Sequence, residues 1–67
     1  MTKRHFEAFA RYLAINLEEA KVYGEPGELD EVRPQVAFAA RVFANVASEH
    51  NPRFDRARFY RACGLTD

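Results

Sequence analysis

A single apolar stretch, residues 32–50, constrains the fold of this 67-residue chain more than any other feature. Its apolar positions recur at intervals of four and three residues, the spacing of one helical face, and five alanines between positions 37 and 47 favour helix over strand. Phe38 and Val42 widen the apolar arc, which leaves a narrow polar stripe at Arg41, Asn45 and Ser48. So wide an arc is typical of a central helix that the rest of the chain, or a partner, must cover.

Residues 3–21 are predicted to form a first, amphipathic helix, with Thr2 as its N-cap. Tyr12 and Ile15 are expected to widen its apolar face. We expect it to lie antiparallel to the central helix, where the alanines of that helix allow close approach. The face is defined by residues at spacings of three and four: Phe6, Phe9, Leu13, Leu17 and Ala20.

The central helix is predicted to begin after a loop. Asp30 is a suitable N-cap, which gives a helix over residues 31–50. Pro34 would then lie about one turn inside, where it is tolerated; alternatively, the regular helix starts at Pro34 itself. The loop is indicated by a glycine- and proline-rich segment that contains Gly24, Pro26 and Gly27.

A short third helix is predicted over residues 55–63, after Asn51-Pro52 ends the central helix. Asp55 is its expected N-cap, and Phe54 and Phe59 have the spacing of a hydrophobic staple. Gly64 occupies the position of a left-handed C-terminal residue. The sequence therefore predicts one all-α domain over 1–67, with two longer antiparallel helices and a short C-terminal helix.

The formal net charge is zero, but the charges are segregated along the chain. Residues 18–31 are acidic and residues 51–67 are basic. One interpretation is that the tail packs near the acidic segment and that their charges neutralise each other; the other is an anion-binding tail. The basic residues of the tail are Arg53, Arg56, Arg58 and Arg61.

Cys63 is the only cysteine, so no internal disulfide can form, which suits a reducing cytoplasm. No apolar run is long enough to predict a membrane span. A nucleophilic pair of Cys63 with His50 or His5 would need a geometry that the sequence does not indicate. These three residues also lack paired metal-ligand spacing. We therefore predict a non-enzymatic protein without a cofactor, metal or small-molecule ligand.

The two ends of the chain resemble those of a group of small bacteriophage and bacterial proteins without an assigned activity. The N-terminal match is Thr2-Lys3-Arg4-His5-Phe6, and the C-terminal match is the signature N-P-R-F-D-R-x-R-F-x-x-A-C-G over residues 51–64. The resemblance covers about a third of the chain. It implies a bacteriophage or mobile-element setting, in the cytoplasm of a bacterial host, and no particular chemistry.

The predicted function is that of a protein–protein interaction module, through a protein partner or a homodimer. Its predicted interface is the part of the central helix that the other two helices are not expected to cover: Phe38, Arg41, Val42 and Asn45. The alternative is a small nucleic-acid-binding protein that uses the four tail arginines, with Phe54, Phe59 and Tyr60 as rings that stack on bases. A zero net charge and a short third helix argue against that alternative.

Overall fold

The computed structural model describes residues 3–65. It contains α1 (Lys3–Tyr23), α2 (Glu28–His50) and α3 (Arg56–Ala62), and no strand occurs within those residues. The predicted all-α fold of two long antiparallel helices and a short C-terminal helix is confirmed. Thr2, the predicted cap of α1, lies outside the described residues. Between residues 3 and 65, no helix has the length and apolar content needed to cross a bilayer.

The start of α2 differs from both predictions. The helix begins at Glu28, because Gly27 adopts a left-handed φ of 89° and turns the chain directly into it. The Glu28 amide donates to the Glu25 carbonyl at 2.9 Å, which closes this turn. Asp30 is therefore not the N-cap; it lies in the first helical turn, where its charge favours the helix dipole. Pro34 lies within the helix rather than at its start.

The centre of the core is built from small side chains. Ala10 of α1 and Ala40 and Ala44 of α2 are almost fully buried, and they form one cluster with Phe59 of α3 and with Cys63, the C-cap of α3. Because the alanine side chain is a single methyl group, a third helix can approach both long helices closely. The alanines of α2, expected to serve α1 alone, thus also accommodate α3.

Aromatic rings link the three helices around this cluster. Phe9 of α1 stacks on Phe43 of α2, with ring centroids 4.1 Å apart and an interplanar angle of 20°. At the end of the molecule, Phe6 meets Phe54 at 5.4 Å, and Phe54 meets Phe59 at 5.5 Å. The second contact is the predicted staple, and the first extends it to α1. The turn after α2 is thereby held against both α1 and α3.

Both ends of α3 have the local structure that the sequence predicts. The Asp55 side chain accepts a hydrogen bond from the Arg58 amide at 3.0 Å, which caps the N-terminus. At the C-terminus Gly64 has φ 80°, and the Leu65 amide donates to the Tyr60 carbonyl at 3.1 Å. This is the hydrogen-bond pattern of a Schellman motif. Capping at both ends stabilises a helix of only seven residues.

The structure predicts that the alanine-lined core does not tolerate larger side chains without a loss of stability. Ala44→Leu should lower the free energy of unfolding by about 1–3 kcal/mol, because the extra carbons have no space beside α3. Ala37→Leu makes the same change at an exposed position of the same helix and should alter stability by less than about 0.5 kcal/mol. Urea denaturation followed by circular dichroism measures both. Equal effects at the two positions would show that the core is not tightly packed.

Candidate protein interface

The four predicted interface residues form an outward patch on α2: Phe38, Arg41, Val42 and Asn45, all exposed. Phe38 retains 62% of its accessible surface and Val42 retains 45%. Successive residues of a helix turn about 100°, so a residue two positions from Ala40 points about 200° away from it. Phe38 and Val42 both have this relation to the buried Ala40. The outward patch therefore lies on the side of α2 that α3 does not cover.

A cation lies beside the exposed ring of the outward patch. The Arg41 guanidinium carbon is 5.7 Å from the Phe38 ring centroid, within the range of a cation–π contact. The contact restricts the rotation of these two exposed side chains. The patch thus presents an apolar surface with one positive charge and one amide, a combination suited to a protein partner.

Tyr12 of α1 carries an exposed ring that the sequence pattern does not reveal. Tyr12 was expected to widen the buried face of α1, but 61% of its surface is exposed, because it lies about 200° around the helix from the buried Ala10. Ile15 is also exposed, at 41%. The stack of Phe9 on Phe43 fixes the register of the antiparallel helices and sets Tyr12 level with Ala40, about 3 Å along the axis from both Phe38 and Val42. The height of Tyr12 depends on helix register, which the sequence alone does not reveal.

The side of the helix pair away from α3 is an open groove between α1 and α2. Asn16 and Tyr23 line it from α1, and Val32, Gln35 and Ala39 line it from α2, with no residue of α3. Ala10 and Ala14, by contrast, line grooves that α3 also borders. The third helix therefore braces one side of the α1–α2 pair and leaves the other side, here called the open face, to solvent.

None of the four tail arginines forms an ion pair with the acidic segment, so neutralisation by direct pairing is not observed. Arg53, Arg56, Arg58 and Arg61 are all exposed. An exposed ion pair joins Lys3 to Glu7, at 4.0 Å, within α1. The physical reason is distance, because the 23-residue α2 separates the loop from the final turn by about 34 Å. The molecule thus has an acidic loop end and a basic end.

The rings that were expected to stack on nucleic-acid bases are used by the fold instead. Phe59 is buried, while Phe54 and Tyr60 are half-buried against the core cluster. Glu7 and Asp55 also line the groove that contains Lys3, Arg53 and Arg58. These carboxylates reduce the positive potential of that groove. The arginines therefore remain as exposed charges without an aromatic platform.

Cys63 lies in the core rather than in a reactive site. Its side chain is fully buried, and burial raises the pKa of the thiol from 9.0 to about 11. A raised pKa lowers the thiolate fraction at neutral pH, opposite to what a nucleophile needs. In the part of the chain that the structure describes, no three His, Cys, Asp or Glu side chains are grouped to hold a metal ion.

Comparison with known protein families, with curated proteins and with solved structures gives no match to this chain.

Burial of Cys63 predicts a stability that falls in alkaline solution. Because the folded-state pKa of the thiol lies above its ordinary value, the folded state keeps the proton between about pH 9 and 11 while the unfolded state loses it. The contribution to stability is present below pH 9 and is lost as the pH rises through 11. Cys63→Ala should flatten this part of the pH profile of thermal unfolding. An unchanged alkaline slope in the variant would contradict the assignment.

Proposed function

We propose that this chain is a small non-enzymatic interaction module that acts through protein contacts made by the outward patch. The observation that carries the proposal is the exposure of Phe38 and Val42 on the face opposite the core. Neither side chain contributes to the core, since α1 and α3 pack against the opposite side of α2. Exposed apolar surface of this kind is characteristic of a binding site. The resemblance to small bacteriophage and bacterial proteins supports a bacterial cytoplasm as the setting.

Affinity capture with matched variants tests the proposal. The native chain, immobilised, is compared with Phe38→Ser plus Val42→Ser in lysate of a bacterial host. Loss of these two apolar side chains should lower the affinity for a specific partner by about tenfold or more. The control is Ile15→Ser plus Val22→Ser, which removes apolar residues of similar exposure from α1, at 41% and 56%.

Three outcomes of this capture are informative. Retention by the native chain and by the control, with loss in the Phe38/Val42 variant, would support the outward patch. Equal retention by all three chains would place the contact elsewhere. If the control alone lost the partner, the interface would lie on α1.

Nucleic-acid binding is the second candidate, favoured by one observation. No carboxylate of residues 3–65 lies within ion-pair distance of Arg53, Arg56, Arg58 or Arg61. The four charges are therefore free to contact phosphates. Against this, the acidic loop end would repel a polyanion that runs along the molecule.

A salt titration separates this candidate from the first. If the arginines bind duplex DNA, Arg58→Ala plus Arg61→Ala should weaken binding and reduce the slope of log K against log salt by about two, one for each phosphate contact. Arg11→Ala plus Arg33→Ala removes the same charge from the two long helices and should have little effect. Fluorescence anisotropy with a labelled generic duplex measures both. No binding of the native chain at low salt would eliminate the candidate.

A further inference from the structure

We infer that the open face binds a second copy of this chain, in an antiparallel arrangement about a twofold axis. This inference rests on the proposed function, because it names the partner of the surface that includes Val42. Three features of the structure support it: the position of the exposed rings, the uncovered apolar side chains that border the open face and the distribution of charge.

Three of the exposed large apolar side chains, Tyr12, Phe38 and Val42, lie near the middle of the molecule, whereas Val22 and Tyr23 lie at the loop end of α1. Leu13 is the central residue of α1 and Ala39 the central residue of α2. Tyr12 is next to the first, and Phe38 and Val42 are within one turn of the second. A twofold axis through the middle of the open face would bring this apolar region of one copy onto the same region of the other. Each copy would then also overlap the full length of its partner.

Uncovered apolar side chains border the open face. Its groove is lined by the half-buried Leu13, Val32 and Ala39. The exposed Tyr12 lies one turn from Asn16, and the exposed Val42 lies one turn from Ala39, so both border this groove. A second copy on this face would cover them and would add large side chains to a core of mainly small ones.

The charge distribution selects the antiparallel arrangement. The acidic loop end and the basic end lie at opposite ends of the long helices. An antiparallel pair brings each acidic end close to the basic end of the other copy, whereas a parallel pair places like charges together. Opposite charges attract within a Debye length of about 10 Å at 0.1 M salt. The loop end carries the acidic residues Glu25, Glu28, Asp30 and Glu31, and the basic end carries the basic residues Lys3, Arg4, Arg53, Arg56 and Arg58.

Sedimentation equilibrium of the purified chain over a range of concentrations tests the dimer. The native chain should form dimers, and Val42→Glu or Tyr12→Glu should raise the dissociation constant at least tenfold by burying a charge in the apolar contact. Ile15→Glu is the matched control: its side chain has an exposure of 41%, against 45% for Val42, but lines a groove beside α3. It should associate like the native chain. Circular dichroism checks that every variant folds.

The arrangement is tested by distances between spin labels. Cys63 is fully buried, so a label attached at Glu49→Cys reports on that position alone. In an antiparallel dimer two such labels should be separated by about 30 Å or more, twice the distance from Glu49 to the middle of α2. A mixture with chains labelled at Glu31→Cys should give an additional, shorter distance. A short distance between two labels at position 49 would show a parallel pair and overturn the antiparallel arrangement.

The remaining outcomes distinguish the dimer from the proposed function. A native chain that stays monomeric at millimolar concentration overturns the dimer, as does a dimer that Val42→Glu and Tyr12→Glu leave intact. If a monomeric chain still captures another protein through Phe38 and Val42, the proposed function stands and its partner is not a second copy. Association that appears only with added DNA would assign the surface to the nucleic-acid candidate instead.

Discussion

The packing of α3 against the buried alanines is the contact on which the rest of the structure depends. Phe59 and Cys63 fit against Ala10, Ala40 and Ala44, where no large side chain occupies the surface of the long helices. A helix of seven residues cannot hold its conformation by its own hydrogen bonds. It is held by caps at both ends, by the Phe54–Phe59 contact, and by this close fit. The two long helices in turn gain a third element that fixes their relative position.

The same contact decides which surface of the molecule is free. Because α3 is short and braces one side of the α1–α2 pair, the other side has no element to cover it. The apolar side chains of α2 that face α1 and α3 are therefore buried, whereas Phe38 and Val42 remain exposed to solvent. The opposite charges are also kept apart, since the long helices separate the acidic loop from the basic turn. A molecule with a zero net charge and an exposed apolar centre is better suited to a protein partner than to a polyanion.

Much of this fold is predictable from the sequence because its signals are local. Helical spacing identified the two long helices, and the third helix follows from its cap, staple and left-handed glycine, which lie within a few positions of one another. The start of α2 was predicted wrongly. Asp30 is a residue type that commonly caps helices, but Gly27 can adopt the left-handed conformation that turns the chain into the helix three residues earlier. The exposure of Tyr12 and the separation of the tail arginines from the acidic segment depend on how helices pack. That information is not present in the spacing of residues within one helix.

The central claim is that α3 covers one side of the helix pair and leaves the opposite side open. Hydroxyl-radical footprinting of the dilute chain, read out by mass spectrometry for each residue, tests it directly, because the reaction rate reports the solvent exposure of each side chain. Tyr12 and Phe38 should be oxidised rapidly, while Phe59 and the intrinsically reactive Cys63 should be protected until the chain unfolds. Rapid oxidation of Cys63 and Phe59 in the folded chain would contradict the account, because α3 would then not be packed against the alanines.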